Sequence, residues 1–323
     1  MIKRNYSISS IQLFCLVFAC VFSGIFLHAG NSLVGVIFSC VFSCAVSFAA
    51  GTVCEVFCSS KEFYSFAFGA GGTILRAISL VFLAFSAVGS LAELSADVAS
   101  LYKGGSAAAV FAVCAAISVF AVSRDFTGAA RFAELCAFPL AGILLLSFLG
   151  DGGEGLTFSL SQYDLFGAFD AIGCTAVIFS LYLRVITPND VEMSEFARNG
   201  SFHPSPVLCG VLAPVLAGTV YIFVKLFGAE KNILVMMLVW FFALARFFAF
   251  ALCASDLLDL PDSIGERKGK RALAFAALFA AVILVLQVIP TEAISGAQVL
   301  YNAAFPLSAF AGVMLSAREE ERK

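Results

Sequence analysis

Residues 5–54 read NYSISSIQLFCLVFACVFSGIFLHAGNSLVGVIFSCVFSCAVSFAAGTVC and contain no Asp, Glu, Lys or Arg. A helix needs about 20 apolar residues to cross a bilayer, so an uncharged run of this length, broken by His28-Ala-Gly-Asn-Ser32, makes two crossings joined by a tight turn. Span one is expected at about 9–28 and span two at about 33–55. The rest of the chain has the same character. Of 323 residues, 61% are hydrophobic and 13% charged, and the mean hydropathy is +0.99. A soluble domain carries charge on about a quarter of its residues, so a soluble enzyme is excluded. The 36 Phe and 26 Gly suit lipid-facing surfaces and closely packed helices.

Counting outward gives eight further crossings. They are expected at about 68–92, 104–123, 132–150, 163–185, 207–227, 232–256, 272–290 and 297–316. The fold class is therefore an all-α polytopic membrane protein of ten transmembrane helices in one domain, 1–323. Positively charged short loops stay in the cytoplasm. With the N-terminus inside, fourteen of the nineteen Lys and Arg fall on the cytoplasmic side, among them Lys3, Arg4, Arg267 to Arg271 and Arg318 to Lys323. Only Lys103, Lys225 and Lys231 fall outside, and Arg76 and Arg246 lie within spans. A miscounted span would destroy that bias, so both termini are expected in the cytoplasm. Met1-Ile-Lys-Arg4 and the run after it read as an uncleaved first span.

Eleven cysteines sit in apolar runs, none as C-x-x-C, and His28 and His203 stand alone, so small buried side chains are expected rather than a zinc shell. No nucleophile elbow, H-E-x-x-H pair, phosphate-binding loop or dinucleotide fingerprint occurs, and nothing suggests a cofactor. A net charge of −3 argues against a nucleic-acid partner.

A break in a membrane helix is tolerated only where protein or a water-filled cavity supplies hydrogen-bond partners, which makes breaks candidate binding sites. Two are expected at comparable depth: Ser23-Gly24 in span one and Ala171-Ile172-Gly173 in span six, just after Asp170. Arg246 lies deep in span eight, where an unpaired guanidinium costs about 2.5–3.5 kcal/mol on insertion scales. Asp170, Glu55 and Glu134 are its candidate partners. Arg76, near the start of span three, is expected to snorkel. Glu93 and Asp97, at i, i+4, form either a solvated vestibule or a coupling-ion or gating pair.

This layout, with the phrases Ser9-Ser-Ile-Gln-Leu-Phe14, Ser23-Gly-Ile-Phe-Leu27, Ala130-Arg-Phe-Ala-Glu134 followed by Pro139, and a short basic tail, resembles the B subunits of endospore germinant receptors, members of the amino acid-polyamine-organocation transporter superfamily. The likeness runs over the whole chain and rests on order and spacing. It implies a five-plus-five inverted repeat, about 9–150 and 160–316, with helices one and six broken. The ligand would sit between those helices, with spans three and eight as the other wall. Carried over, this places Ser23, Gly24 and Ile25, then Asp170, Ala171, Gly173 and Cys174, around a small ligand, with Phe82, Ser86, Phe242 and Arg246 as neighbours. It also implies a germinant such as an amino acid, A and C type receptor subunits as partners, and the spore inner membrane or cell membrane as location. A secondary amino acid or amine transporter, coupled to protons, and a non-transporting membrane scaffold are the alternatives.

Overall fold

The computed structural model describes residues 8–28, 32–54, 57, 60–101, 106–122, 131–132, 134–135, 137–148, 156–158, 169, 171–185, 205–229, 232–258, 267–286 and 291–321. These form α1 (Ser10–His28), α2 (Leu33–Cys54), α3 (Ser60–Phe68), a 3-10 turn (Gly69–Gly71), α4 (Gly72–Leu101), α5 (Ala107–Val122), α6 (Ala137–Ser147), α7 (Ala176–Tyr182), α8 (Pro206–Leu226), α9 (Ile233–Leu257), α10 (Arg267–Leu286) and α11 (Thr291–Glu321). No β-sheet occurs among the described residues; two single bridges join Ile8 to Val185 and Ser32 to Thr157.

Local chemistry fixes several helix starts. Ser9 and Gln12 cap α1 reciprocally: the Gln12 N–H donates to Ser9 Oγ at 3.2 Å and the Ser9 N–H to Gln12 Oε1 at 3.0 Å. Asn232 Oδ1 accepts the Leu234 N–H at 2.9 Å ahead of α9, and Pro206 opens α8. Six stretches are long and apolar enough to cross a membrane: Ser10–His28, Leu33–Cys54, Ser60–Ser100, Pro206–Leu226, Ile233–Leu257 and Ile294–Arg318. Shorter apolar helices lie at Ala107–Ile117, Phe138–Ser147 and Ala276–Val285. With the interrupted α7, each of the ten expected crossings has a helix. The protein is an all-α, multi-pass membrane protein. Its outward faces carry Phe38, Val41, Ile74, Leu208, Leu300 and Leu307, all more than a third exposed, as lipid contact requires.

The third crossing starts earlier than expected. Lys61 and Glu62 mark a loop by charge, yet Ser60, Phe63, Tyr64 and Ala67 form a buried i, i+3, i+4, i+7 stripe, so α3 is a helix with a charged outer face. Its Tyr64 hydroxyl donates to Ser79 Oγ at 2.8 Å; Ser79 donates to the Leu75 carbonyl at 2.8 Å and meets the Tyr301 hydroxyl at 2.5 Å.

Several helix–helix contacts recur when the first five crossings are exchanged for the second five. With α1, α2, α4, α5 and α6 matched to α7, α8, α9, α10 and α11, the contact of α1 with α8 answers that of α2 with α7, α5 with α9 answers α4 with α10, and α6 with α8 answers α2 with α11. The pairs α2–α8, α4–α9 and α5–α10 map onto themselves. The match is inverted, since α1 begins at the end of the bundle where α7 finishes: the Ile8 N–H donates to the Arg184 carbonyl at 2.8 Å. At that same end Arg184 grips both carboxylate oxygens of Asp256, the Nε–Oδ2 arm at 3.0 Å. Arg76 does not simply snorkel; its Nε and Nη2 donate to the Leu257 carbonyl at 3.0 and 2.7 Å, capping the last turn of α9.

Candidate functional site

The sixth crossing is broken and the first is not. At Gly173 the backbone turns to φ +77°, a left-handed conformation that an L side chain resists. Helical structure stops at Ile172 and resumes at Ala176, so the carbonyls of Phe169 and Gly173 and the N–H of Thr175 point away from the ladder. Asn302 on α11 takes all three: Nδ2 donates to the Phe169 carbonyl at 3.2 Å and the Gly173 carbonyl at 2.9 Å, while Oδ1 accepts the Thr175 N–H at 3.0 Å. Gln298, one turn earlier on α11, also donates to the Gly173 carbonyl. Backbone that leaves a helix at membrane depth needs partners of this kind.

The expected break at Ser23-Gly24 is corrected: α1 runs unbroken from Ser10 to His28. Ser23 spends its hydroxyl on its own helix, donating to the Ala19 carbonyl at 2.6 Å. Gly24 serves close approach instead. A Cβ there would overlap the Ala171 carbonyl oxygen and stand 2.6 Å from Arg246 Nη1. At Gly173 a Cβ would lie 2.8 Å from Arg246 Nη2 and 2.7 Å from Phe250 Cζ. Two glycines, one from each half, therefore make the slot for one guanidinium. Arg246 is 2% exposed and lies 5.4 Å from the Phe250 ring centroid, a cation–π contact that offsets part of its desolvation.

Beside this slot is a cavity of about 210 Å³. At about 30 Å³ per water in the liquid it has room for a small solute and is below the roughly 300 Å³ of a drug-sized site. α4 contributes Ser86, Ser90 and Glu93, spaced i, i+4, i+7 on one helix face; α11 contributes Ser295 and Gln298; the break contributes Gly173. Arg246 forms the buried pole. At the other pole His28 Nε2 and Glu93 Oε2 stand 3.8 Å apart, with side chains 25% and 41% exposed. The cavity is thus bipolar: a guanidinium that suits an anionic or carbonyl oxygen at depth, a carboxylate that suits a cation or donor at the exposed pole, and serine hydroxyls between them. Among the described residues no three His, Cys, Asp or Glu side chains are grouped to hold a metal ion.

Of the residues expected from sequence, Ser86, Gly173 and Arg246 come together around this cavity, and Glu93 of the expected vestibule or gating pair joins them. Ser23, Ile25, Ala171 and Cys174 are fully buried and, like Gly24, do not line it. Phe242 is wedged between Phe18 and Phe22, ring centroids 5.3 and 5.2 Å away, and Phe82 packs tilted against Tyr301 at 4.7 Å; neither lines the cavity. Asp170 and Glu55 lie outside the described residues. Sequence reasoning missed Gln298 and Asn302. Their signal is an amide pair at i, i+4 within an apolar span, where polar side chains turn toward the bundle interior. Compared with protein-family models and with curated proteins, the sequence matches none.

Proposed function

We propose that this protein is the membrane subunit of a spore germinant receptor, which senses a small polar germinant such as an amino acid in the Arg246–Glu93 cavity and signals to A and C type partner subunits. The observation that carries the reading is the helix break at Gly173 set against a bipolar cavity lined by residues from both halves of the chain. That is where a fold of this kind gathers a solute, at the repeat interface and beside discontinuous backbone. The distribution of Lys and Arg supports cytoplasmic termini, which puts the His28–Glu93 pole on the outer side; the spore inner membrane is the proposed location. The test is germination of spores lacking the gene, complemented with the natural sequence or with Arg246→Gln. The natural sequence restores the amino acid response and Arg246→Gln, inserted at equal level, does not; full restoration by the variant would overturn the cavity's role.

A second reading, an ion-coupled amino acid or amine transporter, is favoured by one observation: His28 and Glu93, both ionisable, line the same cavity. Proteoliposomes separate the two. Concentrative uptake of labelled amino acids driven by a proton gradient supports the transporter, whereas no uptake together with a germination defect on deletion supports the receptor.

A further inference from the structure

α11 carries side chains that line the cavity and side chains that hydrogen-bond the break. Gln298 Nε2 donates to Ser86 Oγ on α4 at 2.9 Å and to the Gly173 carbonyl, so both of its N–H groups are used in tying α4, the break and α11 together. Two turns further on stands Pro306, which has no N–H and removes the helical bond to the Asn302 carbonyl, loosening α11 at that turn. Beyond the proline a separate set of contacts holds the helix. Ser316 Oγ donates to the Phe66 carbonyl at 2.9 Å, and Gly312 is seated directly on the Ala67 carbonyl of α3. α11 therefore has two anchored halves on either side of Pro306; Gln298, Tyr301 and Asn302 anchor the first, and of these Gln298 lies in the cavity wall.

We propose that Gln298 is a latch, a positioning residue that holds the first half of α11 across the cavity and must be displaced by an entering solute that uses the same acceptors, Ser86 Oγ and the Gly173 carbonyl. Release loosens that half, so that its movement about Pro306 works only against the Tyr301 and Asn302 contacts, while the second half stays on α3. The proposal rests on reading the cavity as the solute site, but its test uses no solute, so the absence of any bound ligand would not count against it.

The test places a reporter thiol in the cavity wall, Ser295→Cys, in full-length protein in nanodiscs, and follows labelling by a membrane-impermeant maleimide. Gln298→Leu and Gln298→Glu, neither of which can donate to both Ser86 Oγ and the Gly173 carbonyl, raise the labelling rate about tenfold, the scale of losing one or two net hydrogen bonds. Adding Pro306→Ala returns the rate toward that of the parent. Native Cys253, fully buried, reports unfolding and stays unlabelled. An unchanged rate in both Gln298 variants overturns the latch. So does a rise matched at Cys253, which would mark Gln298 as a fold-stabilising residue only, or a rise that survives Pro306→Ala.

Discussion

Residues 19–25 of α1 and 169–175 of the sixth crossing carry the same signal, a glycine beside a small polar or apolar residue at membrane depth, and they do opposite things. Around Gly24 the helix closes over the signal: the Ser23 hydroxyl returns to Ala19, and the missing side chain admits the Ala171 carbonyl. Around Gly173 the helix opens, because the backbone reaches φ +77° and another helix supplies an amide for each displaced group. A glycine permits either outcome; partners decide. The two halves of the chain therefore differ at this depth, since the first contributes a smooth wall and the second the irregular backbone.

Four substitutions test this contrast. Gly24→Leu has the largest effect: even the first carbon collides with backbone that cannot rotate away, so the cost exceeds the usual ~1–3 kcal/mol of overpacking, and size-exclusion profiles of detergent extracts should show almost no folded protein. Next is Asn302→Leu, which takes the amide from the Phe169 carbonyl and the Thr175 N–H, while Gln298 still serves the Gly173 carbonyl. At about 1–3 kcal/mol for each group left unsatisfied, it should lower the melting temperature by many degrees while α1 is untouched.

Gly173→Ala is milder. The left-handed φ costs an L residue roughly 1–2 kcal/mol, but the atoms a Cβ meets are the ends of the Phe250 and Arg246 side chains, which can move. Thermal unfolding should show a moderate loss, and displacement of Arg246 should weaken ligand response more than stability. Ser23→Ala should be nearly silent, within about ±0.5 kcal/mol, because it removes only a bond within one helix; a large loss of ligand response would restore Ser23 to the site.

The crossings are legible in the sequence because lipid imposes a length and a polarity that local composition alone can meet. α3 is not, since Lys61-Glu62 reads as a loop until the stripe Ser60, Phe63, Tyr64, Ala67 is set on a helix. Arg246 and Gly173 are legible because each breaks a rule of its surroundings. Phe242 is not: a phenylalanine in an apolar helix gives no sign of whether it faces a cavity or, as here, two other phenylalanines. Gln298 and Asn302 escape a reading that weighs residues singly, for neither is charged and only their shared helical face shows them as a pair aimed at broken backbone. Glu93 is legible as an ionisable residue at the outer end of its span, but its neighbour His28 is 65 residues away in sequence and the two meet only in the fold.

The most direct test is ligand-dependent thermal stabilisation of the purified protein across a panel of the common amino acids, run in parallel on Arg246→Gln and Glu93→Gln. At least one compound should raise the melting temperature of the natural protein in proportion to its concentration, and the rise should vanish in both variants while their unliganded folds remain monodisperse. Equal stabilisation of all three proteins, or of none by any compound, would contradict a cavity that binds through its two charged poles.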